Sequence, residues 1–146
     1  MAKKILAVDD EIEVLEIIKR KLEEKGYIAF TASSAKECLE IAKKEIPDLI
    51  LLDIVMPDMN GYQVCAALKD NPKTKNINIL FTTGQDLEPK SIIKRCEELG
   101  AFDFLLKPFT MEDLLKKVAE ILKIRGWKNE IRQGSFSYSH HMCCLC

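Results

Sequence analysis

Ile5-Leu6-Ala7-Val8-Asp9-Asp10-Glu11 runs four apolar residues straight into three acids. The apolar run is too short for a helix and has no polar alternation, so it reads as a strand buried on both faces. A helix follows. Asp10 is placed to cap it with Glu13 at the third position, and Ile12, Leu15, Ile18 and Leu22 recur every three or four residues until Gly26 stops it. The unit then recurs in type. Residues 27–31 (YIAFT) read as a strand, and Ser34-Ala35-Lys36-Glu37 as a capping box opening a helix with inner face Ala35, Cys38, Leu39, Ala42 and Ile46, ended by Pro47. Residues 49–52 (LILL) form a third strand, a loop with Pro57 and Gly61 follows, and Val64, Ala67 and Leu68 line a short helix. Residues 77–82 (INILFT) are the fourth strand, Ile92, Ile93, Cys96 and Leu99 mark a helix that Gly100 stops, and residues 102–106 are the fifth. Thr110 with Asp113 caps a last helix carrying Leu114, Leu115, Val118, Ile121 and Leu122, with Gly126 as its stop.

Strands alternating with helices predict an α/β domain whose parallel sheet is covered on both faces. Right-handed crossovers leave few topologies. The expected one is a five-stranded parallel sheet of order 2-1-3-4-5, doubly wound with five helices, with a crevice at the carboxyl ends of the first and third strands where the winding reverses. Residues 1–125 form the expected domain; no apolar period persists from Trp127 onward, so residues 126–146 read as a flexible tail.

Composition narrows the function. The 146 residues are 47% hydrophobic and 31% charged, which suits one soluble globular domain. No apolar run approaches the roughly 20 residues of a spanning helix, and the start is too short for a signal peptide, so a cytoplasmic protein away from membranes is expected. With 22 basic and 23 acidic side chains the net charge is -1, which gives no global attraction to nucleic acid. Cys38, Cys65 and Cys96 fall inside apolar helical patterns and read as small buried hydrophobes. Cys143, Cys144 and Cys146 crowd beside His140 and His141 without the spacing of a known zinc site.

In a parallel sheet the strand ends meet on one edge. Here these are Asp9 and Asp10, then Asp53, then Thr82 and Thr83, then Lys107 with Pro108. Carboxylates about 5 Å apart repel by roughly 3 kcal/mol per pair at an effective dielectric of about 20, so the cluster calls for a cation. An all-oxygen donor set suits Mg²⁺ best, with Mn²⁺ as a substitute. Metal, lysine and hydroxyl together point to phosphoryl chemistry with an Asp nucleophile.

Val8-Asp9-Asp10-Glu11, the segment Asp53-Ile54-Val55-Met56-Pro57-Asp58-Met59-Asn60-Gly61, Thr83-Gly84 and Lys107-Pro108, in this order from Lys3 to Lys123, resemble the receiver domain of bacterial two-component response regulators. The resemblance is specifically to the compact, single-domain, chemotaxis-type, flavodoxin-like kind. The resemblance implies that Asp53 accepts a phosphoryl group from a sensor histidine kinase or phosphotransfer protein. It implies Mg²⁺ bound by Asp10, by Asp9 through water, by Asp53 and by the Val55 backbone carbonyl. Thr83 and Lys107 would hold the phosphoryl oxygens, Thr83 and Phe104 would form the switch toward the fourth helix, fifth strand and fifth helix, and Lys107–Pro108 would be cis. The implied protein is a phosphoacceptor signalling domain, not a turnover enzyme. It catalyses only its own phosphotransfer and dephosphorylation, acts as a monomer or weak dimer, and passes its signal to a downstream protein.

Three other readings compete. A receiver fragment of a longer regulator would share every feature above. An aspartate-nucleophile phosphatase carries a second acid two residues after the nucleophile, where Val55 stands here. A domain in which the acids are inert would not take up phosphoryl at all. The residues two after Asp53 and Thr83, Val55 and Gln85, flank the route of a hydrolytic water, and an apolar Val55 predicts a long-lived phosphorylated form.

Overall fold

The computed structural model describes residues 2–84 and 87–123. Gln85, Gly126 and the Cys- and His-bearing tail lie outside the described residues. Ten elements alternate: β1 (Lys4–Val8), α1 (Ile12–Glu24), β2 (Ile28–Ala32), α2 (Ala35–Glu45), β3 (Leu49–Asp53), α3 (Gly61–Lys69), β4 (Asn78–Thr83), α4 (Pro89–Leu99), β5 (Asp103–Leu106) and α5 (Met111–Lys123). The sheet has the expected order β2-β1-β3-β4-β5. All four pairings are parallel, with Val8 opposite Leu52 and Asp53 opposite Thr82.

Strand alternation divides the core in two. Leu6, Val8, Ile50, Leu52, Ile79 and Phe81 face the side covered by α2, α3 and α4. Ile5, Ala7, Leu49, Leu51 and Leu80 face α1 and α5. Cys38 and Cys65 are part of the first half. Burial pushes their thiols up to about 12 and about 11, so both are inert packing groups at neutral pH. Among the described residues no helix is long and apolar enough to cross a membrane.

Several local expectations need correction. The N-cap of α1 is Glu11, in extended conformation and without a side-chain bond, so Asp10 does not cap the helix. Asp9 Oδ1 accepts from Glu11 N at 2.9 Å instead, shifting the start by one residue. Ile12 is 60% exposed because the first turn of α1 stands at the carboxyl edge, past the strand ends. In α3 the buried stripe is Gly61, Val64, Cys65 and Leu68, leaving Ala67 exposed. Ser34 Oγ does accept from Glu37 N, but the Glu37 carboxylate reaches back to Ser33 N at 2.7 Å, one residue beyond a capping box.

Ile46 is also misplaced by periodicity: it is 43% exposed and caps α2 with left-handed backbone, φ 45. Pro47 disfavours right-handed helical backbone at the preceding residue, and the chain reverses there through the left-handed region instead. A β-branched residue is strained in that region, by roughly 1–2 kcal/mol. Ile46→Asn is therefore expected to raise stability by about 1 kcal/mol. An unchanged or lower urea midpoint would refute it.

Candidate functional site

The parallel register brings three acids from separate chain segments to one edge. One carboxylate oxygen each from Asp9, Asp10 and Asp53 lies within 4.8 Å of the others. Asp9 and Asp53 are buried, at 3% and 4% exposure, while Asp10 is exposed. Lys107 Nζ bridges the two buried acids, at 2.9 Å from Asp9 Oδ2 and 3.2 Å from Asp53 Oδ2. The remaining oxygens accept backbone amides: Asp9 Oδ1 from Glu11 N, and Asp53 Oδ1 from Val55 N at 3.2 Å. Lys107 itself is carried by the end of β5, where its amide donates to Thr83 O at 2.7 Å, and its bond to Pro108 is cis.

One ammonium shared between two buried carboxylates satisfies the lysine more fully than the acids. Burial pulls the Lys107 pKa down, but the hydrogen bond to Asp9 and the charges of both acids outweigh it, and the net shift is upward. Asp53 also shifts upward: burial and the charge of Asp9 raise its carboxyl by more than Lys107 and the Val55 amide lower it. The ionised Asp53 carboxylate is thus held at a cost that an added cation would relieve. The donor set fits Mg²⁺: hard oxygen ligands only, two of them buried, with Asp10 open to solvent.

Thr83 stands at the end of β4, fully buried, and its Oγ1 has no hydrogen-bond partner among the described residues. A buried unpaired hydroxyl costs about 1–3 kcal/mol. Alternation puts Thr83 on the same face as Ile79 and Phe81, toward α4, and Phe104 on that face of β5, because Phe81 pairs with Phe104. Phe104 is half-buried there, diagonal to Thr83. Val55 is 56% exposed beside the acids.

Two residues that shape the site carried no chemical signal in the sequence. Gly61 opens α3 against the backbone after Asp53: its N–H donates to Ile54 O at 2.7 Å, and a Cβ there would meet Asp53 O at 2.5 Å and Ile54 Cα at 2.8 Å. Only glycine permits that approach. Asp58 accepts from Ala35 N and Lys36 N at the start of α2, and the Ala35 amide first among these holds its carboxyl below the usual range.

A doubly wound parallel sheet with an acidic cluster and a lysine at the reversal of winding defines a class, and the chain belongs to it: the response regulator receiver domain family matches residues 5–119. Over 123 residues it is 38% identical to the alkaline phosphatase synthesis transcriptional regulatory protein PhoP of Bacillus subtilis, covering 84% of this chain and 50% of that protein. Response regulator PleD of Caulobacter vibrioides is 35% identical over 137 residues, covering 94% and 30%. The chain therefore spans half or less of the length of these relatives. Among solved structures, a CheY-like receiver domain protein from Methanospirillum hungatei superposes with a TM-score of 0.79 at 30% identity, covering 88% of this chain and 99% of that one. The receiver domain of a histidine kinase from Syntrophus aciditrophicus does so at 0.73 and 34%, covering 84% and 91%.

In divalent-free buffer at neutral pH, Asp53→Asn should be more stable than the parent by about 1 kcal/mol, after allowing for screening and for Lys107. Because the folded pKa of Asp53 lies above its ordinary 3.8, the penalty on the ionised form is complete above the folded value. It fades as pH falls through that value. Urea titrations from neutral pH to about pH 4 should show the advantage shrinking. An advantage that grew on acidification would contradict the electrostatic account.

Proposed function

We propose that this receiver domain is a phosphorylation switch in which Asp53 accepts a phosphoryl group from a phosphohistidine on a sensor kinase or phosphotransfer protein. The observation that carries this reading is the meeting of Asp9, Asp10 and Asp53 within 4.8 Å, bridged by Lys107. An oxygen of the Asp53 carboxylate attacks phosphorus, the phosphorus–nitrogen bond of the donor breaks, and the electron pair leaves with the imidazole. Asp9, Asp10, Asp53 and the Val55 carbonyl would hold Mg²⁺, or Mn²⁺ in its place. The bound ion would neutralise the acids and the charge on the transferring group. Lys107 pairs with a phosphoryl oxygen, and Thr83 Oγ1, which has no partner among the described residues, donates to another.

Movement of Thr83 toward the phosphoryl group alters the space beside Phe104 on the same sheet face, and the α4-β5-α5 surface changes with it. The signal passes to a downstream protein. The family match over residues 5–119 lies within the proposed receiver unit of residues 1–125. The domain catalyses its own phosphorylation and dephosphorylation only. Its relatives favour a second reading: PhoP is about twice the span matched here, so the chain also fits the receiver portion of a longer regulator.

Exposure to acetyl phosphate with Mg²⁺ should add one phosphoryl mass to the parent and none to Asp53→Asn. Labelling of both proteins alike would remove Asp53 as acceptor. Decay of the labelled form tests Val55: its exposed, apolar side chain cannot orient a water, so Val55→Asn is expected to shorten the phosphorylated lifetime at fixed Mg²⁺. A lifetime that stayed the same or lengthened would refute this.

A further inference from the structure

The segment from Ile54 to Asn60 carries the backbone that follows Asp53, and its two ends are anchored differently from its middle. Beside β3, Ile54 N donates to Thr82 O at 3.0 Å. At α3, Asn60 and Gln63 close a capping box. Between them the exposed Asp58 reaches across to α2, where Oδ1 accepts from Ala35 N at 3.2 Å and Oδ2 from Lys36 N at 3.4 Å. These first-turn amides have no acceptor within their own helix, and the positive end of the helix dipole favours a carboxylate there. Ser34 Oγ takes the next amide, that of Glu37, at 3.2 Å. Ala35, Ile54 and Met56 all belong to the same half of the core.

We propose that Asp58 is a positioning residue for the cation site. By holding the β3–α3 loop against the first turn of α2, it fixes the backbone at Val55, and with it the Asp53 carboxylate, whose Oδ1 accepts from Val55 N. The inference rests on the reading of Asp9, Asp10 and Asp53 as the site of a divalent ion.

Titration calorimetry with Mg²⁺ on the unphosphorylated full chain tests it, with urea unfolding run on each variant. Asp58→Ala is expected to weaken Mg²⁺ affinity about tenfold. Asp58→Asn is uncharged yet still offers a carbonyl oxygen to Ala35 N, and should bind close to the parent. Ser34→Ala loosens the same helical turn without touching the loop, so it should lower the urea midpoint and leave Mg²⁺ affinity unchanged. An Asn variant as weak as the Ala variant would mean that Asp58 acts only as a through-space charge, which overturns the latch. Parent-like binding by Asp58→Ala, or equal weakening by Ser34→Ala, also overturns it. A parent that binds no Mg²⁺ would bring down the cation-site reading itself, and the latch with it.

Discussion

Two carboxylates buried side by side, with a third at the rim, are the constraint around which this edge of the molecule is built. Nothing about a parallel sheet requires acids at its strand ends, and water would keep them apart. The fold forces Asp9 and Asp53 together because β1 and β3 are hydrogen-bonded neighbours in register. The protein then answers the repulsion with what is within reach: one ammonium from the end of β5 and one backbone amide for each acid. That answer is incomplete, since burial and Asp9 still raise the Asp53 carboxyl above its ordinary range. Incomplete compensation is what leaves free energy available for binding a cation.

The same alternation that builds the core also gives Asp53 and Thr83 opposite parity in their strands. Asp53 follows Leu49 and Leu51 in parity, toward α1 and α5, whereas Thr83 follows Ile79 and Phe81, toward α4. Their meeting point is backbone: Ile54 N to Thr82 O on one side of β4, and Lys107 N to Thr83 O on the other. A change at the acids can therefore reach the opposite face of the sheet without crossing the apolar core. Further along that face Tyr62 meets Phe81 edge-on, with ring centroids 5.3 Å apart, and Arg95 of α4 lies 4.7 Å above the Tyr62 ring. Phe81 of β4 thus meets α3 directly through Tyr62, and Tyr62 in turn meets α4 through Arg95.

Period and strand-end chemistry made the sheet order and the three acids legible, because a parallel sheet leaves little freedom in where its strand ends go. Helix starts were harder to read. Asp10 has the composition of a cap, but the helix takes Glu11 as its N-cap while Asp9 accepts the Glu11 amide, and no local pattern distinguishes neighbouring acids in that way. Periodicity likewise extended the inner faces to Ile12 and Ile46, which stand beyond the strand ends or in a left-handed turn where the helical period no longer applies. Asp58 and Gly61 stand in the segment that carries the family resemblance, but their structural roles were not legible there for a different reason. One acts on a helix 22 and 23 residues away, and the other matters through the space it leaves beside Asp53 O. Both are contacts of the folded chain with no counterpart in local sequence.

Charge balance explains why the site pairs one lysine with one hydroxyl. Three carboxylates and Lys107 leave two negative charges, which a divalent ion cancels. Replacing the Asp53 charge by a phosphoryl group of about two negative charges restores roughly one. A second lysine would cover that excess, but it would also over-neutralise the resting site and weaken its hold on the cation. A neutral donor avoids the conflict. Thr83 Oγ1 adds no charge at rest, where it is buried with no partner among the described residues, at a cost of about 1–3 kcal/mol, and an acceptor oxygen brought by phosphorylation would relieve that cost. In the reading proposed here, the orphaned hydroxyl makes the resting arrangement less stable than it could be, and it biases the switch toward its phosphorylated state.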